Sequence, residues 1–178
     1  MEPAEPADRA QLRLLQRFLS PATTFLELCE DDYSLALTIA QRVKRTYAAV
    51  DISAVPGTGQ RLPANFHLAL AQRANVPVPS AVIDVAYTRC RLDLLRPAEA
   101  LDLLADIYRA LAPRGTLLCM TMNRTTYPIA QLRAMLRKVG FRRVTQYARW
   151  RDAYVPLPSC VLRLLRRVAL DIRVAARK

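Results

Sequence analysis

Four carboxylates fall close together near the start of the chain. Glu27 lies in the apolar run Thr23–Leu28, and Glu30, Asp31 and Asp32 follow it consecutively. A fifth, Asp51, ends a second apolar run, Thr46–Val50. A carboxylate at the end of a strand suits a ribose diol, because it can accept hydrogen bonds from both hydroxyls. The same residue also reads as an exposed loop aspartate, and the pattern alone favours that. The only histidine, His67, sits inside the apolar run Phe66–Leu70, and nothing in the chain has the look of a general base. Cys29, Cys90, Cys119 and Cys160 are scattered with no C-x-x-C spacing, which argues against a metal site or a disulfide framework. Cys119, inside TLLCMTM, reads as core. Four glycines in 178 residues are few for a protein that cradles phosphates.

The charge is unevenly placed. Formal net charge is +12, yet residues 1–131 carry 14 basic and 13 acidic side chains, whereas residues 132–178 carry 13 and 2. A basic C-terminal quarter invites an anionic partner. All basic residues except Lys44, Lys138 and Lys178 are arginine, as GC-rich coding would also give, and aromatic residues are too few for stacked bases. This argues against nucleic acid as the partner and leaves a protein or a small molecule.

The elements that must position these residues alternate. At 52% hydrophobic the chain can bury a full core. Its first ten residues, MEPAEPADRA, do not resemble a signal peptide, and no apolar run is long enough for a membrane span, so the expected compartment is the cytoplasm with reduced thiols. Residues 1–8 read as a tail and Gln11–Leu19 as a short helix, making 1–19 an N-terminal extension of a domain over 20–178. Strands are expected at Thr23–Leu28, Thr46–Val50, Phe66–Leu70, Ala81–Tyr87, Thr116–Thr121 and Arg143–Tyr147. Helices are expected from Ser34, as N-cap, to Lys44, from Pro97 to about Ala112, and over Ile129–Val139 with Gly140 as the stop. Ser53–Pro63 reads as a loop and Ser159–Val168 as helical. From about Leu170 a last strand is expected, with Ile172, Val174 and Ala176 facing inward. Such alternation implies an α/β fold, a doubly wound sheet with its cleft at the carboxyl ends of the strands.

At this point the residues resemble a family. FLELCEDDYSLALTIAQRVKRTYAAVDIS is similar to the first βαβ unit of class I S-adenosylmethionine-dependent methyltransferases of the type 11 group. VPVPSAVIDVAY resembles the fourth strand, and LADIYRALAPRGTLLCMTMNR the following helix and strand. LRAMLRKVGFRRV resembles the next helix–strand unit, and LDIRVAARK the final strand. The resemblance implies a Rossmann-like, mostly parallel seven-stranded sheet whose last strand is antiparallel and inserted near the fifth. It implies S-adenosylmethionine as the cofactor, if any is held, with Glu27, Cys29, Asp31, Asp51, Gln72 and Thr88 at the cofactor-side positions.

Those positions depart from the family's pattern. Its first loop has the form E-h-G-x-G-x-G, and here the three glycine positions are Cys29, Asp31 and Tyr33. Side chains would fill the space the cofactor needs, positive φ would be strained, and Glu30–Asp32 would face the methionine carboxylate. Gln72 stands where the family has an acidic adenine contact, and Leu94 where many relatives have histidine. Only Arg124–Tyr127 stands where relatives carry a substrate lid. Three readings follow: a degenerate member that acts by binding a partner, an active methyltransferase on a small molecule or glycan precursor, and a nucleic-acid-binding module using the basic quarter.

Overall fold

The structure is a computed structural model, and it describes residues 6–29, 33–51, 61–71, 74–89, 91–120, 128–150, 153–157 and 172–178. Its elements run α1 (Pro6–Gln16), β1 (Thr24–Leu28), α2 (Ser34–Ala40), β2 (Arg45–Asp51), β3 (Phe66–Ala71), β4 (Ile83–Arg89), a 3-10 turn (Arg91–Leu94), α3 (Pro97–Ala110), β5 (Leu111–Met120), α4 (Ile129–Val139), β6 (Arg143–Trp150), β7 (Ala153–Leu157) and β8 (Ile172–Arg177).

The strands form one sheet in the order β3-β2-β1-β4-β5-β8-β6-β7. Strands β1 to β5 pair in parallel. β8 slots between β5 and β6, antiparallel to both, and β7 returns antiparallel along β6. The fold is therefore α/β, Rossmann-like and mostly parallel, with the inserted antiparallel last strand that the sequence implied. The count differs: among the described residues there are eight strands, not seven. The extra one is β7, whose Pro156 lacks the N–H that a central strand needs; at the sheet edge that loss is tolerated.

Alternation along the central strands covers both faces. Leu26, Leu28, Ala86, Leu117 and Cys119 pack with Leu103, Leu104 and Ile107 of α3 and Leu132 and Leu136 of α4. Phe25, Val85, Tyr87, Leu118 and Met120 pack with Leu15 of α1 and Ile39 of α2. Ala176 belongs to the first cluster and Ala175 to the second, so β8 is buried on both faces at these two residues, where the alternation had suggested one inner side. At the end of the strand Arg177 is exposed.

Several elements depart from their expected bounds. The helix at the N-terminus begins at Pro6, inside what read as tail. α2 stops at Ala40 instead of Lys44, and its N-cap is Tyr33, without a side-chain hydrogen bond, rather than Ser34. α3 starts at Pro97, where the Glu99 carboxylate accepts the Arg96 N–H at 3.0 Å, and ends at Ala110. α4 has its expected bounds, and Gly140 after it takes φ 121°. The proposed helix at Ser159–Val168, the acids Glu30–Asp32, most of the loop Ser53–Pro63 and the stretch Arg124–Tyr127 lie outside the described residues.

No helix is seen among the described residues between β2 and β3 or between β3 and β4. In the second of these connections, residues 76–80 are held by α3 instead. The Arg109 guanidinium donates to the carbonyls of Val76 and Val78, both at 2.9 Å, and to Ser80 Oγ at 3.1 Å. Asp106 pairs with Arg109 and accepts the Val76 N–H at 2.6 Å. This clamp seats Val76 and Val78 in the core, as a helix would otherwise seat its apolar face.

Candidate functional site

The carboxyl ends of β1, β2 and β4 are aligned. Leu28 stands opposite Ala49 on one side and Thr88 on the other, and the Cys29 N–H donates to the Ala49 carbonyl at 2.9 Å. Here the sheet order reverses direction of growth, which is where an open α/β sheet offers its cleft.

The sequence-derived site residues meet different fates there. Glu27 lies on β1 opposite Ala48 and Tyr87, and it is buried. Thr88, one position further along β4, is 1% exposed, and its Oγ1 has no hydrogen-bond partner. Successive strand residues face opposite sides, so Glu27 turns to the face covered by α1 and α2 and Thr88 to the face covered by α3 and α4. Asp51 is the last residue of β2, opposite Ala71. Asp31 and Gln72 lie outside the described residues.

Cys29 and Tyr33 flank the loop after β1, and both are core residues. Cys29 is 4% exposed and its Sγ donates weakly to the Glu27 carbonyl at 3.9 Å. Tyr33 is 7% exposed, and its ring lies 5.6 Å from that of Phe66 on β3. The two share one cluster with Ala36 and Ala40 of α2 and Ala48 and Val50 of β2. Neither is strained: among described non-glycine residues only Ala81 and Arg114 have positive φ, and Tyr33 sits at φ −119°. At these two positions the expected backbone penalty is thus absent. At Cys29 and Tyr33 the backbone keeps ordinary conformations and both side chains turn inward, into the core.

The face above Glu27 carries residues that the sequence did not single out. Tyr87 is buried and donates its hydroxyl to Met120 Sδ at 3.2 Å. Gln11 of α1, 6% exposed, lines a small cavity there with Leu14, Leu15, Tyr87, Leu118 and Met120. The leucine spacing of α1 and the Val85/Tyr87 alternation were the available signals. α1 also grips the far edge of the sheet, where Ala10 and Leu14 pack on Tyr154 of β7 and Arg17 donates to the Tyr154 carbonyl at 3.0 Å.

Nothing here supplies nucleophilic or metal chemistry among the described residues. Burial pushes the Cys119 thiol up to about 12, so it stays protonated. Among the described residues no group of three His, Cys, Asp or Glu side chains could hold a metal ion. Leu94, at the position where relatives carry histidine, is 73% exposed at the end of the 3-10 turn. His67 is exposed on β3 with its ring 5.1 Å from that of Tyr47. No described helix is long and apolar enough to cross a membrane.

No protein-family model matches the chain, and no curated protein matches it. Solved structures do. A TehB-like S-adenosylmethionine-dependent methyltransferase from Corynebacterium glutamicum superposes with a TM-score of 0.73 at 13% identity, over 99% of this chain and 99% of that one. A methyltransferase from Archaeoglobus fulgidus gives 0.67 at 13% identity, over 97% and 93%. A chain of the complex between the Haloferax volcanii Trm112 methyltransferase activator and a methyltransferase gives 0.66 at 13% identity, over 95% and 88%. At such identities the likeness is one of fold. The chain has the class I fold of S-adenosylmethionine-dependent methyltransferases.

Proposed function

We propose that this chain is a degenerate member of the methyltransferase fold, one that holds S-adenosylmethionine weakly or not at all and acts by binding a partner. The observation that carries the reading is the burial of Cys29 and Tyr33 in one cluster with α2, β2 and β3. The donor set does not fit the cofactor: two of three glycine positions are filled by side chains committed to the core. Opening a cradle would require withdrawing both, and exposing a buried aromatic together with a cysteine costs about 3–4 kcal/mol. That corresponds to a loss of affinity of roughly two to three orders of magnitude. A role in partner binding agrees with the Haloferax volcanii structure, in which the matching fold is seen in a complex.

One observation favours a second reading, an active methyltransferase. The Thr88 hydroxyl, buried and without a partner at the carboxyl end of β4, is a polar group of the kind a bound nucleoside could satisfy. Calorimetry with adenosine and with S-adenosylmethionine separates the two. The degenerate reading expects adenosine to lose less affinity than S-adenosylmethionine, relative to ordinary methyltransferases, because Asp51 and Gln72 remain. It also expects Cys29→Gly, Asp31→Gly, Tyr33→Gly together to improve S-adenosylmethionine binding; no improvement would clear the loop of blame.

A further inference from the structure

We propose that the open edge of β3 is a docking site for a β-strand of an acidic protein. The inference rests on the partner-binding reading above and assigns it a surface.

The two edges of the sheet are treated differently. β7, at one end, contains Pro156 and is pinned by α1 through Tyr154. β3, at the other, reads Phe-His-Leu-Ala-Leu-Ala, with no charge and no proline. Natural edges are normally blunted by charge, proline or cover, and an apolar edge that carries neither charge nor proline is a template for strand addition. Leu70 is 49% exposed, and among the described residues no strand lies beyond β3.

The hydrogen-bond phase shows which groups are offered. The Thr46 N–H donates to the Asn65 carbonyl at 2.9 Å, and β2 and β3 run in parallel register from Thr46 opposite Phe66. In a parallel ladder alternate residues bond to alternate sides. Residues 65, 67 and 69 therefore turn their backbone groups to β2, and Leu68 and Leu70 turn theirs outward. Phe66 N–H is already satisfied by the Pro63 carbonyl at 3.0 Å.

Charge selects the occupant. Arg42, Lys44, Arg45 and Arg61 are all exposed near the amino ends of β2 and β3, and the one carboxylate in residues 33–51 and 61–71, Asp51, stands at the opposite, carboxyl end of β2. An incoming strand rich in Asp or Glu complements that end, whereas a second copy of the chain brings a net charge of +12 against its like.

The test uses the full chain, isotope-labelled, titrated with a capped peptide of alternating Glu and Val and, separately, with its Lys–Val counterpart. The expected result is saturable shifts of the Leu68 and Leu70 amides with the Glu–Val peptide only, weakened by added salt. Leu70→Pro deletes an outward N–H without touching the β2 ladder, and it should reduce affinity at least about tenfold while β2 amides keep their protection. Leu70→Lys, which keeps the N–H and adds a cation, should hold the Glu–Val peptide at least as tightly as wild type, and a loss of binding there would count against charge selection at this edge. The proposal is overturned if millimolar Glu–Val peptide leaves both amides unmoved, if the Lys–Val peptide binds as well, or if sedimentation shows a dimer that Leu70→Pro dissolves. Binding of S-adenosylmethionine would instead overturn the degenerate reading and leave the edge result standing.

Discussion

Replacing Arg109 by alanine tests whether the clamp is what holds residues 76–80 against the core. The guanidinium donates to two backbone carbonyls, Val76 and Val78, and to Ser80, and it pairs with Asp106. Val76 is fully buried, so its carbonyl would lose a charged donor with no water to replace it. Hydrogen bonds to charged groups contribute about 1.5–3 kcal/mol each. The Arg109 side chain is 39% exposed, which places both carbonyl bonds at the low end. Arg109→Ala should therefore cost about 3 kcal/mol, or roughly 6–12 °C in Tm for a domain of this size. Urea titration measures it, and an unchanged m-value would confirm that the unfolded state is not the cause. Arg109→Lys should recover the smaller part, because one ammonium cannot reach three separated acceptors in the plane of the fork. A loss below about 0.5 kcal/mol would show that Val76 and Val78 are held by packing alone, and the clamp argument would fail.

Three further outcomes are expected. Gly140→Ala should cost about 1–3 kcal/mol by thermal melt, since φ is 121° and the new Cβ would lie 3.1 Å from Tyr108 Cζ. Lys178→Ala should cost about 1–2 kcal/mol, because its ammonium donates to the carbonyls of Tyr108 and Leu111, both at 2.8 Å, at the end of α3; both changes reach Tyr108, so their effects should not add. Cys119, pushed up to about 12 by burial, keeps its proton while an unfolded thiol ionises from about pH 8.5. Its contribution is full below that pH and falls as pH rises towards 12, so wild type should lose stability across this window more steeply than Cys119→Ala in paired denaturation curves.

What could be read in the sequence was what local rules decide. Ile129–Val139 shows its bounds because the helical spacing ends at a glycine that takes φ 121°. The last strand was legible because Ile172, Val174 and Ala176 alternate with Arg173, Ala175 and Arg177. Its burial on both sides was not, because Ala175 is small enough to sit against α1's side of the core. β7 was missed since Pro156 argues against a strand until the edge position is known. α2 fell short of Lys44 although Val43 keeps its place in the core, because residues 41–44 turn to feed β2. At the site, the three lost glycines were visible, and at Cys29 and Tyr33 their consequence is burial without positive φ. Whether Cys29 and Tyr33 turn outward or inward depends on the volume between α2 and β3, which only the packed structure defines.

Titration of the full chain with S-adenosylmethionine by isothermal calorimetry tests the central claim most directly. The buried Cys29 and Tyr33 predict no binding heat at concentrations that saturate ordinary methyltransferases of this fold. A micromolar dissociation constant that Asp51→Ala abolishes would contradict the account and establish a working cofactor site.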